Sequence, residues 1–127
     1  MTVALIIAGL PALAETPMTG DQFEAHVGTN RLTYDYGGGL LGIEEYLPDR
    51  RVRWAFEADT CLEGTWYEDG DQICFTYENG GEPACWLFFD LGGTIKGRFM
   101  GEGGGWEIFE IEKKDAPLSC SGPDVGV

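Results

Sequence analysis

The stretch Ile73–Phe89, ICFTYENGGEPACWLFF, sets two cysteines eleven positions apart around a centre of Asn, Gly and Pro. Its flanks alternate aromatic and β-branched residues, and its middle carries the residues that turn a chain sharply. Both features predict a β-hairpin. In a hairpin centred on Gly80, residues whose numbers sum to about 159 face each other, and Cys74 and Cys85 satisfy that sum. Directly opposed side chains come within reach of a cross-strand disulfide. By elimination Cys61 pairs with Cys120, tying the C-terminal segment to a central strand. The competing reading of the four cysteines is a metal site or a redox pair. It lacks a Cys-x-x-Cys motif, and the single histidine, His26, lies elsewhere. Structural disulfides are therefore expected, with no metal and no cofactor.

The same alternation recurs on both sides of the hairpin. RLTYDY places Leu32, Tyr34 and Tyr36 on one face, with Arg31, Thr33 and Asp35 on the other. RVRWAF turns Val52, Trp54 and Phe56 inward and Arg51 and Arg53 outward. LLGIEEYL, CLEGTWY, TIKGRFM and WEIFEIE complete the series, with Gly and Asp at the junctions. The prediction is an all-β fold, an antiparallel meander of about eight strands, curled or closed into a small barrel that leaves no exposed edges. One short helix precedes it. Thr19 and Gln22 form a capping box, Met18 and Phe23 a hydrophobic staple, and Gly28 the stop. Such a helix packs outside the sheet or across one end.

The first fourteen residues, MTVALIIAGLPALA, carry no charge and end on Ala12-Leu13-Ala14. This is the pattern of a secretory signal, too short to span a bilayer. Residues 1–14 are accordingly expected to be a signal peptide and residues 15–127 one disulfide-stabilised domain in the periplasm. The chain holds 22 Asp plus Glu against 8 Lys plus Arg, a net charge of −14. That field repels nucleic acid and anionic membranes and favours a basic partner. No insertion into the membrane is expected.

Catalytic constellations are sparse. Beyond the leader the serines are Ser119 and Ser121, both distant in sequence from His26. Gly-rich runs lie between strands, where they make turns and do not cradle phosphate. Glu68, Asp69 and Asp71 in EDGD read as a solvated hairpin turn and not as a calcium loop. Glu44 and Glu45 are adjacent, so a strand points them to opposite faces. An inward glutamate offers an acid–base group, although a solvated strand end before Pro48 is the default expectation. Arg50, Arg51 and Arg53, with Arg31, are expected to meet acidic residues such as Asp35 across the sheet.

Aromatic residues give the best functional hint. Tyr34, Tyr36, Trp54, Trp66, Trp86 and Trp106 recur at alternating positions of successive strands. Such side chains either fill a small barrel or line a pocket for one small apolar ligand. The function expected is a non-catalytic binding module for a small ligand or a basic envelope protein. The alternatives are an enzyme built on an inward glutamate and an acidic accessory or inhibitor of a basic partner.

Cys61, Gly64, Trp66, Cys74, Phe75, Tyr77, Cys85 and Trp86 follow in an order that resembles a pattern in small exported proteins of Gram-negative bacteria. There a Cys, a Gly-x-Trp, a Cys-Phe-x-Tyr and a Cys-Trp succeed one another. The resemblance implies export and disulfides and carries over no catalytic residue. Gly-x-Trp is also similar to the lipocalin signature, which belongs on a first strand. Here GTW falls on the fourth, so the likeness is one of architecture.

Overall fold

The computed structural model describes residues 2–4, 15–56 and 60–120. The expected signal peptide falls largely outside them. Eight strands, β1 (Arg31–Asp35), β2 (Leu41–Tyr46), β3 (Arg51–Phe56), β4 (Leu62–Asp69), β5 (Gln72–Tyr77), β6 (Ala84–Asp90), β7 (Ile95–Phe99) and β8 (Glu107–Lys114), follow one helix, α1 (Gly20–Val27). Each strand pairs antiparallel with the next, and β8 returns to β1, closing an up-and-down barrel. Closure gives every strand two neighbours, which removes the exposed edges that an open sheet presents.

The alternation in the sequence becomes the inside and outside of this barrel. Leu32, Tyr34, Val52, Trp66, Ile73, Phe75, Trp86, Phe88, Ile95 and Ile108 are buried and belong to one core. The arginines turn outward. Arg53 meets Glu45 at 3.4 Å and Glu63 at 2.9 Å, whereas Arg31 meets Glu112 at 3.7 Å. Asp35 does not join them as expected, because its Oδ1 accepts the Gly37 N–H at 2.8 Å in the following turn. Between β2 and β3 the chain reverses through Asp49 and Arg50, both left-handed at φ 61° and 58°. Two successive positive φ values match the right-handed twist of the hairpin strands.

Helix α1 closes one end of the barrel. Thr19 Oγ1 accepts the Gln22 N–H at 3.1 Å, and the Gln22 side chain accepts the Thr19 N–H at 2.9 Å, as the capping box requires. The first helical N–H, at Gly20, is taken by the Glu68 carboxylate. That contact gives a role to one acid of the EDGD turn, on the favourable side of the helix dipole. Phe23 is fully buried, with its ring 4.6–6.4 Å from those of Tyr46, Trp66, Phe75 and Phe88. Burying one such ring contributes about 1.5–3 kcal/mol. His26 Nε2 lies 2.6 Å from Glu110 Oε1, and Arg50 reaches Glu24 at 3.4 Å.

Both disulfides form as expected. Cys74 and Cys85 are register partners in the β5–β6 hairpin, and Cys61 bonds Cys120 across 59 positions. Constraint of the unfolded chain is worth about 3 kcal/mol for the short loop and about 4 kcal/mol for the long one. Among the described residues, no helix is long and apolar enough to cross a membrane.

Candidate functional site

Phe23 of α1 plugs one end of the barrel with ring contacts, and a cavity opens at the other. Phe75, Phe88 and Tyr46 touch Phe23 on one side and line a cavity of about 260 Å³ on the other, so they form its floor. The walls come from Tyr36, Trp54, Tyr77, Trp86, Phe99 and Ile108. Phe56 and Trp106 also line it and are 37% and 42% exposed, which marks that end as the mouth. Exposed Leu40 and Met100 sit in loops at the same end.

The hollow arises from how the aromatic rings pack. Gly42, on the inward face of β2, leaves no room for a side chain. A Cβ there would lie 2.0 Å from Trp54 Cη2 and 2.7 Å from Tyr36 Cε1. The outer edge of the Trp54 ring therefore sits where a side chain at position 42 would be. Tyr36 is the hub of the upper rings, 5.7 Å from Trp54, 6.5 Å from Trp86 and 5.9 Å from Trp106. Trp106 contacts Trp86 at 5.3 Å and Phe99 at 5.0 Å. These separations are those of edge and offset aromatic pairs, which hold the wall in place.

The polar content is small and specific. Glu44 is 2% exposed and faces the lumen, so the expected solvated strand end is corrected. Its neighbours Gly42 and Tyr46 share the inward face, while Glu45 points outward to Arg53. Glu44 Oε1 accepts the Tyr77 hydroxyl at 2.7 Å, and its buried Oε2 has no hydrogen-bond partner among the described residues. Burial raises the Glu44 pKa well above the ordinary carboxyl value, and the Tyr77 hydrogen bond opposes that rise only in part. Tyr34 and Tyr46 satisfy each other through a 2.8 Å hydroxyl pair, and burial raises both phenols. Among the described residues, no basic side chain lines the cavity.

Of the aromatic residues singled out in the sequence, Tyr34, Tyr36, Trp54, Trp86 and Trp106 converge on this cavity. Trp66 does not. It is buried at the closed end, 5.2 Å from Phe23, with the Arg50 guanidinium 4.3 Å from its ring. The sequence did not single out Tyr46 or Phe99, nor did it reveal the Glu44–Tyr77 pair. The other interior carboxyl, Glu110, is engaged at the closed end by His26 and by the Ile95 N–H at 3.1 Å. Ser119 is exposed on the C-terminal strap, Ser121 lies outside the described residues, and His26 faces Glu110. Among the described residues, no three His, Cys, Asp or Glu side chains group as a metal cage.

Comparison of the chain with protein-family models, with curated proteins and with solved structures returns no match.

Proposed function

We propose that the protein is a small-ligand-binding barrel of the periplasm, loaded through the mouth opposite α1. The observation that carries this reading is a lumen hollow at the end opposite α1, walled by aromatic rings and holding one buried carboxyl oxygen without a partner among the described residues. A filled barrel would bury those rings against each other and leave no polar atom unpaired. A cavity of about 150 Å³ holds benzene, so one of 260 Å³ suits a ligand on the order of ten non-hydrogen atoms. Two disulfides fit an oxidising compartment, which supports the periplasmic placement.

The raised pKa of Glu44 also suits a general acid, the enzymatic alternative. That chemistry calls for a second group placed on the substrate, and the other interior carboxyl is held by His26 and Ile95. Binding without turnover is therefore the better reading. Its test is nuclear magnetic resonance of the four tryptophan indole N–H groups during titration with 3,3-dimethylbutan-1-ol. The signals of Trp54, Trp86 and Trp106 are expected to shift while that of Trp66 stays. Equal shifts of all four, or none, would overturn the reading.

A further inference from the structure

The composition of the cavity narrows the ligand further, on the premise that the cavity binds at all. We propose that it takes a small organic cation, an alkylammonium or quaternary ammonium group on a short apolar body, with its charge between the ring faces and Glu44 Oε2. Three independent features point to positive charge. Among the described residues, the lining contains one carboxyl with an unpaired oxygen and no Lys, Arg or His to neutralise it. Trp54, Trp86, Trp106 and Tyr36 surround the lumen, and the negative face of an aromatic ring attracts a desolvated cation. The protein as a whole carries a charge of −14, which concentrates cations at its surface before they enter.

A neutral ligand uses these features less well. It gains nothing from the ring quadrupoles beyond contact area, and it meets Glu44 only as one hydrogen-bonding group. An ammonium pairs the open oxygen with opposite charge and lets its methyl or methylene groups rest on the indoles. Desolvating the cation is expensive, and that expense is offset only where the carboxyl ionises opposite it.

The arrangement has a signature in pH. The groups facing Glu44 are Tyr34 from β1 and Tyr36 just beyond it, Tyr46 from β2, Trp54 from β3 and Tyr77 from β5, and none of them supplies positive charge. Glu110 on β8 lies towards the closed end against His26. In the empty barrel burial favours the neutral acid at Glu44, so a cation that demands the carboxylate must expel a proton. Its affinity then rises by up to about tenfold per pH unit until the pKa of the empty site is passed.

The test is calorimetric titration of the disulfide-intact protein with choline and with its uncharged isostere 3,3-dimethylbutan-1-ol, from about pH 5.5 to about pH 8.5. Choline is expected to bind about tenfold tighter than the alcohol at the upper end. Its advantage should shrink as pH falls, and buffers of different ionisation enthalpy should register release of up to one proton. Glu44→Gln keeps the shape and an acceptor for Tyr77. It should abolish the choline advantage over the alcohol together with its pH dependence. Equal binding of the two probes with no pH dependence overturns the cation assignment and leaves the cavity reading standing. So does a choline preference that survives in Glu44→Gln, because the charge would then not be read at Glu44. Failure of both probes to bind overturns the cavity reading with it.

Discussion

The Tyr77 hydroxyl donates to Glu44 Oε1 at 2.7 Å, joining β5 to β2 through the barrel interior. The bond fixes the carboxyl and leaves Oε2 as the open polar atom. Tyr77→Phe strips Glu44 of its one hydrogen-bond donor without creating a large void. It should lower the free energy of unfolding by about 1–3 kcal/mol in a urea titration. It should also raise the Glu44 pKa further, because the lost bond is the interaction that lowers it. Unchanged stability would show that the bond contributes nothing in solution.

Glu44 also makes stability depend on pH with a sign opposite to that of most carboxyls. Its folded pKa lies well above the ordinary value of 4.5, so between the two the folded state holds a proton that the unfolded chain has lost. Stability from this site therefore falls as pH rises from about 4.5 towards the folded value, by up to about 1.4 kcal/mol per unit. Asp90, lowered by the Gly92 and Gly93 N–H groups, works the other way. Comparison with Glu44→Gln cancels such background terms. The variant should gain on the parent protein as pH rises across this range, and a constant difference would exclude a raised Glu44.

Gly42 sets the shape of the wall. Gly42→Ala drives a methyl into Trp54, and the indole must swing into the lumen or push β2 outward. A destabilisation of about 1–3 kcal/mol is expected, as for an overpacked core, together with loss of probe binding. Retained binding with unaltered Trp54 resonances would show that the wall has slack there.

The two ends of the barrel divide stability from binding. Phe23→Ala opens a void under the plug and should cost about 3–5 kcal/mol. Trp106, 42% exposed at the mouth, should cost less than half as much when replaced by Ala, yet weaken probe binding severalfold. Similar costs at both sites would mean that the mouth is as tightly packed as the plug.

Much of this was legible in the sequence, because a strand's period of two sorts residues by parity. Leu32, Tyr34 and Tyr36, or Val52, Trp54 and Phe56, announce their face unaided, and the Cys74–Cys85 register follows from the hairpin centre. Parity failed at LGIEEY, where Leu41 and Ile43 on one face compete with Gly42 and Tyr46 on the other. The sequence favoured a solvated strand end for Glu44 and Glu45, and closure of the barrel instead placed Glu44 inside. Position along the barrel axis was not legible either. Trp66 and Trp86 look alike as strand residues, and only the docking of Phe23 assigns Trp66 to the plug. The salt-bridge partner of Arg31 was missed because β8, which supplies Glu112, becomes its neighbour only when the sheet closes.

The central claim is that the end opposite α1 is hollow and walled by aromatic rings, and a crystal of the protein under xenon pressure tests it most directly. Xenon occupies apolar cavities without needing a specific polar partner. A xenon peak is expected between Trp54 and Trp86, above Phe88 and beside Glu44, with the ring positions unchanged. A lumen closed by inward rotation of Trp54 or Trp106, with no xenon bound, would contradict the account.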